Sequence, residues 1–473
     1  MMSERVVADL AGKRATLLGL GKHGGGVGVA RYLAEQGVIV TVTDAKPAAE
    51  LAESVSALDG LPIRFVLGEH HEADFTPAGA DLVVRNPSVP RQAPLLELAR
   101  SSGVPVEMEM SLFLRYAPGP VIGITGTKGK TTTSMMLAAM LQSWKPETAL
   151  AGNMGISALA LLPTLTADQP VVLELSSWQL EGIDEHQLSP RIAVLTNISP
   201  DHLNTYASFD AYADTKRRIA AHQRSEDFFV VNADDREARR AIADAPGHSI
   251  SFGRNVKNGI GMTVNGRTLN WRYEDQTATF SLPAGSFALA GDHQVLNVAA
   301  AAAAALLQGA PPEAVEAGIA AFDGIPNRNE FIAEIEGVTF VNDTTATAPS
   351  ATIVALERFA GKRIHLISGG ANKALDLQPL ADAIRERAAS VSLIDGSATP
   401  LLIELLGDTT VPVHGPFRGM ESAVEAAVSD ARQGDIVLLA PGVASFGIFI
   451  DEFDRGEQFR AVVNRRVREA SAT

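Results

Sequence analysis

Residues 121–134 read VIGITGTKGKTTTS, and the amphipathic stretch MMLAAMLQSW follows. Two β-branched apolar residues entering a Gly/Thr/Lys loop before a helical pattern describe a strand, a turn and a helix start. Such a turn lets backbone N–H groups and the helix dipole surround a phosphate. Gly126, Lys128, Gly129 and Lys130 sit in the turn, and Lys130-Thr131 give the GK[ST] ending. Lys130 is placed to neutralise phosphate charge and the Thr131 hydroxyl to ligate Mg²⁺. The spacing is not a strict G-x₄-G-K-[ST], because position 124 is Ile. The chemistry indicated is an ATP-type phosphate site.

A second glycine turn lies earlier. GLGKHG (19–24) follows a β-rich run and opens a helical one, and Asp44 stands 20 residues past Gly24 at the end of the next strand pattern. This is the arrangement of a dinucleotide fold, and NAD or a UDP group fits it equally.

Carboxylates and imidazoles recur at the ends of strand patterns. Glu174 follows PVVL, Asp201-His202 follow IAVLTNIS, and Asp343 follows GVTFVN. At the C-terminal ends of parallel strands Glu174 and His202 could hold a metal beside phosphates. In LAGDHQVLNVAA, His293 and Asn297 are one helical turn apart, where a base or a plain capping role suits them. Arg328, in GIPNRNE, could clamp a γ-phosphate or serve as a salt-bridge partner.

The elements that must position these groups are α/β units. Short β-rich runs alternate with helical segments through the 473 residues, too long a chain for one core. YAPGP (116–120) and DGIPNRNE (323–330) punctuate it, so the expected domains are 1–117, 118–324 and 325–473. Shorter alternating strands (MTVNG, TLNWRY, TATFSLP) predict a small antiparallel insertion in the central domain. The run VAAAAAAALL (298–307) is too short for a bilayer and reads as a tightly packed helix.

A net charge of −15 argues against nucleic acid or an anionic membrane as partner. The absence of cysteine excludes disulfides, thiolate metal sites and Cys nucleophiles. The N-terminal stretch has no apolar core of a signal peptide, so a cytoplasmic location is expected.

Taken in order, GLGKHG, GITGTKGKTT, GNMG, ELSSWQLE, SPDHLN, a downstream Lys, GIPNR, NDTTAT, GGANK and APGVASF resemble the Mur ligase family, most closely its glutamate-adding branch. The likeness covers nearly the whole chain. It implies a Rossmann-like N-terminal domain for a UDP group, a central P-loop-type ATP domain and a Rossmann-like C-terminal domain for the amino acid. The implied reaction, in peptidoglycan precursor synthesis, is ATP-dependent addition of D-glutamate to UDP-N-acetylmuramoyl-L-alanine through an acyl phosphate, with ATP and Mg²⁺ and by a monomer.

Position by position, the resemblance assigns Gly126, Thr127, Lys128, Gly129, Lys130, Thr131 and Thr132 to the ATP phosphates. Gln294, Asn297, Arg328 and Asp343 fall around adenine, ribose and γ-phosphate. It assigns magnesium to Thr131, Glu174, His202 and a carbamylated Lys216, so that Lys130, Glu174, His202 and Lys216 form the catalytic set. Lys22, His23, Asp44 and Lys46 fall where UDP is held, Asn153 and Ser176 at the muramoyl-alanine, and Thr347, Lys373 and Ser445 at the glutamate.

The chain departs from the family pattern at Gln294, Asn327, Thr345 and Glu452, where Asn, His, Lys and an aromatic are usual. These changes bear on the amino acid more than on ATP. The alternatives are therefore ligation of L-glutamate, another Mur or folylpolyglutamate-type ligase, or a non-catalytic nucleotide-binding protein.

Overall fold

The computed structural model describes residues 9–21, 25–153, 157–201, 205–283, 291–373 and 375–471. Its described residues form three sheets. The first contains β1 (Arg14–Leu18), β2 (Ile39–Asp44), β3 (Ile63–Leu67), β4 (Leu82–Arg85) and β5 (Val106–Glu107), in the order β3-β2-β1-β4-β5. Every pairing is parallel. The order reverses between β1 and β4, which opens a crevice at the strand ends where ligands bind in such sheets.

The second sheet contains β6 (Val121–Thr125), β7 (Ala149–Gly152), β8 (Val171–Glu174), β9 (Ile192–Leu195), β10 (Phe228–Asn232), β11 (His248–Gly253), β12 (Gly261–Asn265), β13 (Thr268–Tyr273) and β14 (Gln276–Ser281). Their order is β14-β13-β12-β11-β10-β9-β6-β8-β7. Strands β6, β8 and β9 are wholly buried, hence their apolar runs VIGI, VVL and IAVL, with Thr125 and Glu174 at the C-terminal ends of the first two. The antiparallel segment, β12 to β14, is joined to the rest because β12 pairs parallel with β11. It extends the sheet rather than standing apart from it.

The alanine run lies in the helix Asp292–Gln308, where Ala299–Ala305 are all buried. Side chains this small let it pack tightly between the sheet and the helices Lys130–Gln142 and Pro312–Ala321. Gly318 allows the same closeness, since a Cβ there would meet the backbone of Met140 at 2.5 Å. The phosphate-loop helix is thus fixed from behind by two helices.

The first two sheets belong to one compact unit. Arg85, at the end of β4, has only 1% of its side chain exposed and pairs with Glu181 of the helix Ser177–Glu185 at 3.0 Å. Arg100 reaches Glu185 at 2.9 Å. Gly28 packs so closely on Ser157 that no side chain fits between them.

The division between the units falls between Phe322 and Asp323. In the second unit β15 (Glu330–Ile335), β16 (Val338–Asn342), β17 (Ile364–Gly369), β18 (Ala388–Ile394), β19 (Val413–Phe417) and β20 (Ile436–Leu439) form a sheet ordered β15-β16-β20-β17-β18-β19. Only β15 is antiparallel. Among the described residues no helix is long and apolar enough to cross a membrane.

Candidate active site

The phosphate loop joins β6 to the helix Lys130–Gln142. Gly129 caps that helix with φ 85°, and Gly126 has φ 153°. A Cβ on Gly129 would run into Asn297 Oδ1, and one on Gly126 into Thr196 Oγ1. Both glycines are required by space as well as by backbone. The segment after β9 clamps the loop. Thr127 N donates to Asn197 O at 2.9 Å, Lys128 N to Asn197 Oδ1 at 2.9 Å, and Asn197 Nδ2 to Lys128 O at 2.8 Å. Lys130 Nζ folds back onto the carbonyls of Gly126 and Thr127 at 3.0 and 3.1 Å. Lys128 is exposed, Thr131 half-buried and Thr132 buried.

Asn297, on the helix Asp292–Gln308, stands against the loop at Gly129 and donates to Gln294 Oε1 at 2.9 Å. His293, called with Asn297 from the sequence, lies one residue before Gln294 near the same helix start.

Glu174 ends β8, beside β6 in the sheet, and is 2% exposed. Asn153 Nδ2 donates to its Oε1 at 3.0 Å, while Oε2 is buried with no hydrogen-bond partner. An orphaned carboxylate oxygen next to a phosphate loop fits a metal ion. Lys216, on the helix Phe209–Arg217, is 1% exposed, and its Nζ lies 5.0 Å from the centre of the Tyr212 ring. Burial pushes its pKa from 10.5 to about 7, helped by Lys130 and opposed by Asp201 and Glu174. Tyr212 also bonds Thr127 Oγ1 at 3.2 Å, so Lys216 and the loop share one support. Among the described residues no three His, Cys, Asp or Glu side chains form a metal cluster. His202 lies outside the described residues.

A cavity of about 480 Å³ opens at the first sheet's crevice. Gly21, Gly25, Gly26 and Lys46 from the first sheet's connecting segments line it, as do Gly152, Asn153 and Gln179 from the second sheet and its connections. Lys22 and His23 lie outside the described residues. Asp44 is not among the lining groups. Its Oδ2 accepts from the amides of Leu20 and Gly21 at 2.9 and 3.2 Å, and Oδ1 from Lys46 N at 2.9 Å. It braces the glycine turn from within. Ser176 is similarly committed, capping its helix in a reciprocal box with Gln179. Gln179, its partner in that box, is the one of the two that lines the cavity. Sequence reasoning missed Gln179, Asn86, Ser88 and Glu109, all lining this space. Asn86 did carry a signal, as a polar residue just past a strand's C-terminal end.

In the second unit, Asn329 N donates to Asp343 Oδ1 at 3.0 Å. Burial raises the Asp343 pKa to about 6, and Arg328 and Arg358 pull the other way. Arg328 itself is exposed. The bridge between Ala371 and Ala444 sets the segments of Lys373 and Ser445 side by side. Ser445 Oγ is buried without a hydrogen-bond partner, Lys373 is exposed and Thr347 half-buried. Asn327, where the family usually has His, takes φ 65° and is buried. Its Oδ1 accepts from Asn342 Nδ2 at 3.0 Å, and its carbonyl accepts from Thr345 Oγ1 at 3.0 Å. Two of the departures therefore bond each other.

Three family models match in order: Mur ligase MurD-like, N-terminal domain, over residues 13–107; Mur ligase middle domain, over 124–305; and Mur ligase, glutamate ligase domain, over 327–443. The chain belongs to the Mur ligase family. A protein of Roseiflexus sp. named UDP-N-acetylmuramoylalanine--D-glutamate ligase is 47% identical, over 96% of this chain and 99% of its own. A protein of Koribacter versatilis with the same name is 36% identical, over 97% and 98%. The solved structure of the UDP-N-acetylmuramate-alanine ligase MurC from Thermotoga maritima is 21% identical and covers 97% of this chain and all of its own, with a TM-score of 0.55. It shares the Mur ligase fold.

Proposed function

We propose that this Mur ligase adds D-glutamate to UDP-N-acetylmuramoyl-L-alanine at the expense of ATP, forming ADP and phosphate. The observation that carries the reading is the continuity of the cavity. Its lining includes both the glycine turn and Asn153, which donates to Glu174 at the end of the strand beside the phosphate loop. A diphosphate-linked substrate anchored at the turn would present its far end there. The name shared by the relatives supplies the substrates.

A carboxylate is a poor electrophile, and phosphorylation gives it a leaving group. The loop amides and Lys130 hold the phosphoryl group while the alanyl carboxylate oxygen attacks phosphorus and ADP departs. The glutamate amine, having lost a proton, adds to the acyl carbon, and collapse of the tetrahedral intermediate expels phosphate. Magnesium, held by Thr131, Glu174, His202 and carbamylated Lys216, would offset the phosphate charge. A lysine with a pKa near 7 has the neutral amine that carbamylation by carbon dioxide needs. Gln294, Asn297, Arg328 and Asp343 would hold the rest of ATP, and Thr347, Lys373 and Ser445 the glutamate. Lys22, His23 and Lys46 would meet the UDP group, with Asp44 and Ser176 shaping its walls. Residues 1–117, 118–324 and 325–473 would be the three substrate domains, in a cytoplasmic enzyme acting as a monomer.

Phosphate release with ATP, Mg²⁺ and UDP-N-acetylmuramoyl-L-alanine tests this. D-glutamate should stimulate it strongly and L-glutamate should not. Stimulation by L-glutamate alone would overturn the stereochemistry, and release with neither would overturn the acceptor.

A further inference from the structure

Glu109 begins the helix Glu109–Tyr116 and lines the cavity, yet no step above uses it. Its carboxyl accepts from Ser157 Oγ at 2.6 Å and from the Leu159 amide at 3.5 Å. Both bonds go to Oε1 and come from one segment, so the carboxyl is held from there while the residue lines the cavity. The residue is half-buried. Ser157 is in turn pressed against Gly28 in the helix that follows the glycine turn. The carboxyl is therefore held in place at the cavity wall.

We propose that Glu109 binds the UDP-linked substrate as a hydrogen-bond donor, directing its carboxyl proton to an acceptor oxygen of that ligand while Ser157 fixes its orientation. The proposal rests on the cavity being the nucleotide-sugar site. A diphosphate-linked sugar is rich in acceptors and carries negative charge. An ionised carboxylate facing it would repel it, and a neutral acid gives it a hydrogen bond.

The surroundings favour the acid form. Burial raises the Glu109 pKa, against the bonds from Ser157, Leu159 and Ala158. No charged neighbour is among its causes. The charged groups sharing the cavity are Lys46 and Arg85, and Arg85 is committed to Glu181. On its own helix Arg115 is paired with Glu107 at 2.6 Å. The segment Leu159–Thr164 has no ionisable side chain, and the helix Gly25–Glu35 meets Ser157 through a glycine.

A ligand that selects the acid form takes up a proton when it binds at a pH above the free pKa of Glu109. Its affinity is level below that pKa and falls by up to tenfold per pH unit above it. Titration calorimetry of UDP-N-acetylmuramoyl-L-alanine into the full chain, in two buffers of different ionisation heat between pH 5 and 9, reads both quantities. Wild type should show proton uptake and a falling affinity at the upper end. Glu109→Gln keeps an N–H donor, so it should bind within about threefold of wild type at low pH, without proton uptake or the fall. Glu109→Ala should bind about tenfold more weakly. Should it fail to fold, the Glu109→Gln profile decides alone. Equal binding by Glu109→Ala, or an identical pH profile in Glu109→Gln and wild type, would overturn the role of Glu109. A wild type that binds no UDP-linked ligand would overturn the reading of the cavity and this role with it.

Discussion

Asn153 Nδ2 donates to Glu174 Oε1 at 3.0 Å, leaving Oε2 buried and unsatisfied. One residue thus belongs to the cavity and also aims the carboxylate beside the phosphate loop. Glu174→Gln should lower kcat by about a hundredfold or more, a typical loss for a charge-stabilising group. Asn153→Ala should raise KM for the UDP-linked substrate and also raise the Mg²⁺ concentration needed for half-maximal rate. Steady-state kinetics over a magnesium series separates the two effects. A change in KM alone would remove the link between the sites.

Gly129→Ala puts a methyl group against Asn297 Oδ1 at a φ of 85°. The strain is on the order of 1–3 kcal/mol. ATP affinity should fall about tenfold while the UDP-linked substrate binds as before. Separate binding measurements for the two ligands check this.

Lys216 makes stability depend on pH. Folded, it holds its proton only below about pH 7, whereas unfolded it does so to about 10.5. Between those values the unfolded chain binds more protons, so stability rises with pH. At neutral pH the cost is on the order of 4 kcal/mol. In buffer free of carbon dioxide, Lys216→Met should therefore melt higher than wild type at pH 7, with the difference shrinking towards pH 10. Lys216→Ala should lose turnover and regain part of it with a short-chain carboxylic acid that supplies the missing oxygens. Full activity without the additive would remove Lys216 from the mechanism.

Asn327 and Thr345 are coupled by the bond from Thr345 Oγ1 to the Asn327 carbonyl. A Cβ at Gly456 would strike Asn327 Oδ1, so the pocket around this side chain is full. Asn327→His should destabilise the protein by about 1–3 kcal/mol through overpacking and lost bonds. Denaturant unfolding measures this. No loss would mean that the pocket relaxes around the larger ring.

The sequence was most legible where chemistry coincides with a strand end. The phosphate loop, Glu174 and the alternation of strands and helices all follow from local pattern. Strand β7 (ALAG) was not legible, because one Leu among two Ala and a Gly carries no distinguishing period. The antiparallel strands were visible as strands, but alternation says nothing about the partner, and only the β11–β12 pairing joins them to the sheet. Asp44 and Gln179 show the same limit at the site. Motif spacing marks Asp44 as a ligand group, yet backbone amides occupy its oxygens. Gln179 drew no reading from the sequence, and the structure makes it both a helix-capping partner and part of the cavity wall.

The most direct measurement follows oxygen. UDP-N-acetylmuramoyl-L-alanine labelled with ¹⁸O in its alanyl carboxylate is incubated with ATP, Mg²⁺ and D-glutamate, and the released phosphate is analysed by mass. Attack of that carboxylate on phosphorus, followed by amine attack on carbon, must transfer one labelled oxygen to phosphate for each amide formed. Phosphate carrying no label while the amide accumulates would contradict the acyl phosphate and the role given to the Asn153–Glu174 pair.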